Sequence, residues 1–174
     1  EGAPLLSSLR RPVPLNPDEF ALRAASAWVL DVRSPLAFQG AHIPGAVSIY
    51  DDGLPGWPGR LLNYERPILL MADGDDALAQ AVTALARIGM DRLEGVLRGG
   101  MAAWLSAGLT WERTPTVSVR DLQSRLWDEQ DAWVLDVRRD DEVLREPMPS
   151  ASHIPLSDLP SRLNEVPRNK PVYL

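Results

Sequence analysis

An internal repeat constrains this 174-residue chain more than any other feature of its sequence. The hexapeptide Trp-Val-Leu-Asp-Val-Arg occurs at residues 28–33 and again, 105 residues later, at residues 133–138. Three further identities keep the same register without a gap: Pro44, Ala46 and Ile49 with Pro149, Ala151 and Ile154. Solenoid repeats are shorter, roughly 20–50 residues, so a repeat of this length indicates a duplicated domain. The chain is therefore predicted to contain one whole unit and the opening of a second.

Composition and charge argue against several classes of partner. The net charge of −6 and the isoelectric point near 4.9 disfavour nucleic acid and anionic membranes, which both attract basic proteins. No apolar run reaches the ~18–20 residues of a membrane span, and no signal peptide is recognisable, so we expect a cytoplasmic protein. The chain has no cysteine, which rules out disulfides and a cysteine nucleophile within it.

Short apolar runs alternate with helical patterns through the first unit. Four runs predict buried strands: residues 28–32, 46–49, 67–71 and 93–97. Asn16 begins one predicted helix, on whose apolar face we expect Phe20 and Leu22. Asp75 begins another, which Gly89 ends. Strands and helices that alternate at this spacing predict an α/β fold with a parallel sheet.

The sequence divides into three predicted parts. Residues 1–15 are rich in Pro, Gly and Ser and predict a linker from an upstream domain. Residues 16–113 form the complete unit, and residues 117–174 form the first half of the second. About sixty residues of an open α/β sheet do not bury a self-sufficient core. The half unit therefore packs on the first unit, packs on a neighbouring chain as in a homodimer, or is truncated.

Residues 38–46, with the sequence FQGAHIPGA, resemble the F-x-x-x-H-I-P-G-A signature of the rhodanese-like sulfurtransferases. The signature residues that carry the resemblance are Asp31, Arg33, His42, Pro44, Gly45, Gly99, Gly100 and Trp104, with Asp136 and Arg138 in the second unit. The resemblance implies a three-layer α/β/α fold with a central, mostly parallel sheet. We expect Asp31 and Arg33 to form a buried ion pair at a strand end. We expect His42 to hydrogen-bond loop backbone.

A working rhodanese, by the same resemblance, carries a cysteine after the third strand. A loop of backbone N–H groups and a helix N-terminus then lower the thiolate pKa and hold the anionic persulfide. The matching position here is Ala72, and the degenerate loop comprises Ala72, Asp73, Gly74, Asp75, Asp76, Ala77 and Leu78. Where the family places a glycine and then Arg-Ser, this chain has Asp75, Ala77 and Leu78. We therefore expect no catalytic residue and no cofactor in this chain, and we expect the loop to lack the cationic residue that would meet thiosulfate.

Three interpretations of the loop aspartates stay open. Asp73, Asp75 and Asp76 could serve as helix caps, because carboxylates gain roughly 0.3–1 kcal/mol each from the helix dipole. They could also form an acidic docking surface for a basic partner or an upstream domain, or a metal site. The chain has only two histidines, without H-x-E or H-x-x-x-H spacing, so we expect no metal.

A narrower resemblance involves residues 57–62, 66–70 and 84–91. These segments resemble the rhodanese part of fusion proteins with an N-terminal metallo-β-lactamase-fold domain, often a non-haem iron persulfide dioxygenase. The resemblance implies such a domain as an upstream partner in the same polypeptide, where it would hold iron or zinc. One hypothesis is a catalytically inactive tandem module that acts as a scaffold in a sulfur-handling fusion protein. The alternative is a fragment of an active thiosulfate or persulfide sulfurtransferase whose cysteine lies near position 176.

Overall fold

The computed structural model describes residues 11–128, 132–148 and 150–174. It divides into two compact units, of which unit 1 ends at Thr116 and unit 2 comprises Val117–Leu174. Most of the predicted linker and Pro149 lie outside the described residues. Each unit is built on a parallel sheet of its own.

Unit 1 contains a five-stranded sheet in the order β1-β5-β4-β2-β3, in which every pair is parallel. The strands are β1 (Pro14–Leu15), β2 (Trp28–Asp31), β3 (Val47–Ser48), β4 (Ile68–Met71) and β5 (Leu93–Leu97). The helices are α1 (Pro17–Ala24), α2 (Pro35–Gly40), α3 (Pro58–Leu61), α4 (Asp75–Arg87) and α5 (Gly100–Ser106), with a 3-10 turn at Asp51–Gly53. The predicted α/β fold with a central parallel sheet is confirmed.

Apolar side chains pack on both faces of this sheet, because residues alternate sides along each strand. On one face, Leu30 and Leu70 pack with Leu85 of α4. On the other face, Val29 of β2 packs in a second cluster with Phe20 of α1. All four residues of β4 are buried, as expected for a central strand covered by helices on both sides.

Local sequence signals set the ends of the helices. Asn16 Oδ1 accepts a hydrogen bond from Glu19 N at 2.9 Å, and the Glu19 carboxylate accepts one from Asn16 N, which completes a capping box. At the end of α4, Gly89 adopts a φ of +78° and Met90 N donates to Leu85 O at 2.9 Å. The predictions that Asn16 begins a helix and that Gly89 ends one are therefore confirmed.

The structure differs from the sequence analysis at two leucines. Leu15, in the predicted linker, is buried in β1, where its carbonyl accepts a hydrogen bond from Arg98 N at 2.9 Å. A two-residue strand has no detectable periodicity, and its Pro14 is tolerated because β1 lies at the sheet edge. Leu22 was predicted on the apolar face of α1 but is 79% exposed, because residues two apart on a helix point in different directions.

Unit 2 contains a three-stranded parallel sheet in the order β7-β6-β8. Its strands are β6 (Trp133–Asp136), β7 (Ala151–His153) and β8 (Val172–Tyr173). Its helices are α6 (Val119–Asp128), α7 (Asp140–Arg145) and α8 (Leu159–Arg162), with a 3-10 turn at Leu163–Glu165. Among the helices described in either unit, none is long and apolar enough to cross a membrane.

The sheet of unit 2 has the same register as the centre of the sheet in unit 1. Asp136 pairs with His153 as Asp31 pairs with Ser48, which preserves the 105-residue offset on both strands. Trp133 N donates to Pro171 O at 3.0 Å, as Trp28 N donates to Pro67 O at 2.8 Å. The strands β7, β6 and β8 thus occupy the places of β3, β2 and β4.

Candidate functional site

The degenerate loop lies at the carboxyl end of the central strand β4. Ala72 follows Met71 directly, is half-buried and lines a cleft of about 640 Å³. Asp73, Gly74, Asp75 and Leu78 line the same cleft. In an open parallel sheet, ligands bind beyond the carboxyl ends of the strands, so the loop occupies the expected place for a site.

The cleft offers no nucleophile where the resemblance implies one. The Ala72 side chain is a methyl group, and the chain has no cysteine, so no thiolate forms at this position. A persulfide-forming step requires that thiolate as the attacking group. At the position where the resemblance implies the reactive thiol, the loop therefore carries a methyl group.

The aspartates surround the beginning of α4 without capping it by hydrogen bonds. Gly74 occupies the N-cap position with a φ of +88°, and no side chain accepts a hydrogen bond there. Asp75 and Asp76 are the first two residues of the helix, and both are exposed, as is Asp73. Their carboxylates therefore stabilise α4 through the helix dipole rather than as hydrogen-bonding caps. Ala77, also in the first turn, is half-buried.

Two arginines from outside the degenerate loop line the same cleft. Arg98 follows β5, and Arg11 precedes β1. The loop after β4 itself contains no cation, and both arginines come from other segments of the chain. The strand order explains Arg98, since β5 pairs in parallel with β4 and the carboxyl ends of both strands meet at one edge of the sheet. Arg11 lies before the first residue of β1, so the same argument does not place it. The cleft thus has aspartates and arginines on its walls.

Asp31 and Arg33 form the buried ion pair that the sequence predicted. Arg33 Nη2 lies 2.6 Å from Asp31 Oδ2, and Arg33 Nε donates to Asp31 Oδ1 at 2.9 Å. Arg33 Nη2 also donates to the carbonyl of Ala41, just after α2, at 2.8 Å. The pair therefore joins the end of β2 to the segment after α2, and neither of its residues is among those that line the cleft.

His42 contacts the backbone and the ring of Phe38 and the backbone of Glu112. Its Nδ1 donates to the Phe38 carbonyl at 2.8 Å, since a carbonyl only accepts, and the two rings stack with centroids 3.9 Å apart. Its backbone forms an antiparallel bridge with Glu112. Pro44 and Gly45 follow in a turn, where Gly45 has a φ of +74°. The His42 ring thus hydrogen-bonds backbone, as predicted, but the acceptor lies in helix α2 and not in a loop.

The remaining signature residues of unit 1 lie at the turn before α5 and within α5. Gly99 and Gly100 have φ values of +77° and +58°, so the chain turns sharply between β5 and α5. Trp104 is buried, and its Nε1 donates to Thr110 O at 2.9 Å. Its ring lies edge-on to Phe20 at a centroid distance of 6.1 Å. The two glycines also line the cleft, so this turn forms its wall opposite the degenerate loop.

The second ion pair repeats the first in unit 2. Arg138 Nη2 lies 2.6 Å from Asp136 Oδ2 and donates to the Glu146 carbonyl at 3.0 Å. The hydrogen bonds from Arg138 lower the pKa of Asp136 from 3.8 to about 2, against the opposing effect of burial. The Arg138 side chain is 38% exposed, whereas that of Arg33 is 5% exposed, so water screens the second pair more.

No metal centre is visible in the described part of either unit, where no three His, Asp or Glu side chains come together as a ligand set. His42 and His153 belong to different units. Each is engaged with backbone: His42 with Phe38 O, and His153, through Nε2, with Arg138 O at 2.8 Å.

Comparison with known proteins identifies the family. The family model described as "Rhodanese-like domain" matches residues 16–107, more than half of the chain. The chain therefore belongs to the rhodanese-like domain family. The thiosulfate sulfurtransferase GlpE of Tolumonas auensis is 28% identical over 83 residues, which are 48% of this chain and 76% of that protein.

Two solved structures are similar to this chain. The thiosulfate sulfurtransferase of Pseudomonas aeruginosa has a TM-score of 0.50 at 20% identity, with 92% of this chain and 37% of that chain covered. A rhodanese-like domain of the Alr3790 protein of Anabaena sp. is 29% identical, with a TM-score of 0.48 and coverage of 53% of this chain and 98% of that chain. The first of these likenesses supports the rhodanese-like fold.

Proposed function

We propose that unit 1 is a catalytically inactive rhodanese-like module, a pseudoenzyme that serves as a scaffold or interaction domain in a sulfur-handling protein. One observation carries the proposal: Ala72 stands at the carboxyl end of β4, in a cleft, where a sulfurtransferase of this family needs a cysteine. Asp73 and Asp75 line the same cleft and disfavour an anionic sulfur donor. The fold of the site is kept, and its reactive group is replaced.

The test is a thiosulfate:cyanide sulfurtransferase assay on the 174-residue chain. We expect no thiocyanate above a blank without protein, because no group on the chain accepts the sulfur atom. Addition of an active rhodanese to the same reaction serves as the positive control. Turnover clearly above the blank, in protein shown by mass spectrometry to be free of contaminants, overturns the proposal.

The second candidate is that residues 1–174 belong to an active thiosulfate or persulfide sulfurtransferase. The repeated register of β6, β7 and β8 favours it, because β8 occupies the place of β4, after which the family's cysteine stands. The offset of 104 residues between Pro67 and Pro171 puts the position equivalent to Ala72 at 176. A cysteine codon there in the parent gene, followed by codons for glycine and arginine, supports this candidate. Another residue at 176 contradicts it.

The proposal also includes the upstream domain, the location and the assembly of the protein that contains this module. The resemblance of residues 57–62, 66–70 and 84–91 to fusion proteins supports an upstream metallo-β-lactamase-fold domain as the partner, with iron or zinc held there. We propose a cytoplasmic location and leave open a homodimer through unit 2. Reading the gene upstream of the codon for Glu1 tests the fusion: an open frame encoding that fold supports it, and a start codon close to Glu1 contradicts it.

A further inference from the structure

One side of the cleft that contains Ala72 is formed by the first strand and the residues just before it. Arg11, Pro12 and Pro14 line this cleft. We call residues 11–15, which include β1, the strap. The remaining lining residues belong to β5, to the turn after it, and to the loop and helix after β4. The strap is therefore the part of the lining that comes from the edge of the sheet.

A single side chain anchors the strap on the face away from the cleft. Side chains alternate between the two faces of a strand. Pro12 and Pro14 line the cleft, whereas Leu15 packs on the other face of the sheet with Phe20 of α1. Leu15 is 2% exposed and Val13 is 56% exposed. On that face, the strap therefore depends on the burial of Leu15.

Hydrogen bonds hold the strap on one side only. Val96 N donates to Val13 O, and Arg98 N donates to Leu15 O, each at 2.9 Å. The two prolines of the strap have no backbone N–H group, so they donate nothing to β5. The strand β1 has one neighbouring strand, whereas the central strand β4 has two. Separation of the strap from β5 therefore breaks less of the sheet than separation of β4.

Gly95 of β5 makes room for the strap. A methyl group at Gly95 would overlap Leu15 Cδ1, and it would lie 2.8 Å from Leu15 Cγ and 3.2 Å from the backbone oxygen of Val13. Gly95 has no positive φ, so the close approach of the strap, and not the backbone conformation, requires glycine here. A larger residue at position 95 displaces either the Leu15 side chain or the strap.

We propose that the strap is a detachable edge strand, which opens and closes the cleft while the rest of unit 1 stays folded. Segments with few buried apolar contacts open at a lower free energy than the core does. Helix α1, which follows the strap, does not depend on it for its first turn. Asn16 and Glu19 cap this helix between themselves, so the cap persists when the strap leaves β5.

Release of the strap changes the cleft in two ways. It removes Arg11 and the two prolines from the lining, so a ligand reaches Ala72 from the edge of the sheet. It also couples the cleft to the preceding chain, because residues 1–10 continue directly into the strap. A partner that pulls on the chain before Arg11 thus opens the cleft. The proposal depends on the geometry of β1 and not on the missing thiol, so it and the proposed function can fail separately.

Native-state hydrogen exchange of the 174-residue chain, at urea concentrations below the unfolding transition, tests for local opening. We expect the amides of Val96 and Arg98 to exchange about ten-fold or more faster than that of Leu70 in β4. Their rates should change little with urea, because a local opening exposes little surface. Equal rates for Val96 and Leu70, with the same dependence on urea, overturn the proposal, since the strap then opens only when unit 1 unfolds.

Gly95→Ala tests the contact that docks the strap. This variant should accelerate exchange of the Val96 and Arg98 amides about ten-fold or more, without changing exchange in β4. The matched control is Gly56→Ala, because the added methyl group there meets open space and Gly56 has no positive φ. Leu15→Ala removes the anchor without a clash and should act in the same direction. Equal acceleration of β4 and of the strap amides in both Gly95→Ala and Leu15→Ala overturns the proposal.

A neutral soluble gadolinium chelate measures access to the cleft in the same variants. Broadening of the isotopically labelled Ala72 methyl signal by this probe should increase at least two-fold in Gly95→Ala, because the displaced strap no longer shields one side of the cleft. Gly56→Ala should leave the broadening unchanged. Unchanged broadening of Ala72 in a Gly95→Ala chain whose strap amides exchange faster shows that the strap does not control access, and overturns the proposal.

Discussion

At the scale of single residues, the same ion pair occurs in two environments within one chain. The Asp31 and Asp136 carboxylates are both nearly buried, and each receives hydrogen bonds from the arginine two positions later. The two arginines differ in exposure, and the strength of an ion pair depends on how much water reaches it. The chain therefore provides an internal control for the effect of burial on an otherwise identical contact.

Replacement of Arg33 by alanine is expected to destabilise unit 1 by about 3–5 kcal/mol, because it leaves the buried Asp31 carboxylate without its partner. The matched variant Arg138→Ala is expected to destabilise unit 2 by less than Arg33→Ala destabilises unit 1, because water reaches the Arg138 side chain and screens the pair. Denaturant unfolding, followed through amide signals of each unit, measures the loss of stability in both variants. Equal losses in the two units contradict the explanation by burial.

The pKa of Asp136 gives a second prediction for a single residue. Folding lowers this pKa to about 2, through hydrogen bonds from Arg138. A lowered pKa means that the contribution to stability is present above about pH 4 and is lost as the pH falls towards 2. Carbon NMR titration of the Asp136 carboxyl group measures the value, and Arg138→Ala is expected to raise it. A pKa near 3.8 in the unmodified chain contradicts the prediction.

At the scale of structural elements, the cleft is formed where strand ends meet helix beginnings. The loop from β4 to α4 forms one wall, and the turn from β5 to α5 forms the other. The second wall requires glycine, because Gly99 has a φ of +77° and a methyl group there would lie 2.8 Å from the Ala103 side chain. The first wall carries Ala72, whose side chain is a methyl group.

Gly99→Ala is expected to destabilise unit 1 by about 2–3 kcal/mol, since left-handed strain of about 1 kcal/mol and a steric clash add together. The control is Gly108→Ala, which has a similar φ of +70° but open space around the added methyl group. The control should lose only about 1 kcal/mol. Thermal unfolding of the two variants compares them, and equal losses contradict a role for the clash.

Ala72→Cys by itself is expected to give no sulfurtransferase activity, because Asp73 and Asp75 raise the pKa of the new thiol. Changing both aspartates to asparagine in that variant should lower the thiol pKa by about half a pH unit or more. Changing Arg98 to alanine should raise it. The pH dependence of the rate of iodoacetamide alkylation measures the thiol pKa in all three variants. Efficient sulfur transfer by Ala72→Cys contradicts this account of the cleft.

At the scale of the whole molecule, the two units differ in how much core they bury. Among the described residues, unit 1 contains 22 of the buried hydrophobic residues and unit 2 contains three: Val134, Leu135 and Ile154. A small unit that buries little apolar surface has little free energy to offset the entropy of folding. Unit 1 is therefore the stable part of the described chain.

Hydrogen exchange is expected to be faster in unit 2 than in unit 1. Amides of β6 should exchange at least ten-fold faster than those of β2, although the two strands have the same sequence, because fewer apolar contacts oppose opening of unit 2. Mass spectrometry measures the rates of hydrogen exchange in both strands within one sample. Equal protection of the two strands contradicts the difference in stability.

The sequence by itself determined the repeat, the parallel sheet, the ends of α1 and α4, and the absence of a thiol at position 72. These features depend on local patterns, because strand periodicity, caps and residue identity are all visible within a few positions. Only the tertiary structure decided that Leu15 lies in an edge strand and that Arg11 and Arg98 line the cleft beside Asp75. Those features depend on which strands become neighbours, and such long-range contacts have no local pattern in the sequence.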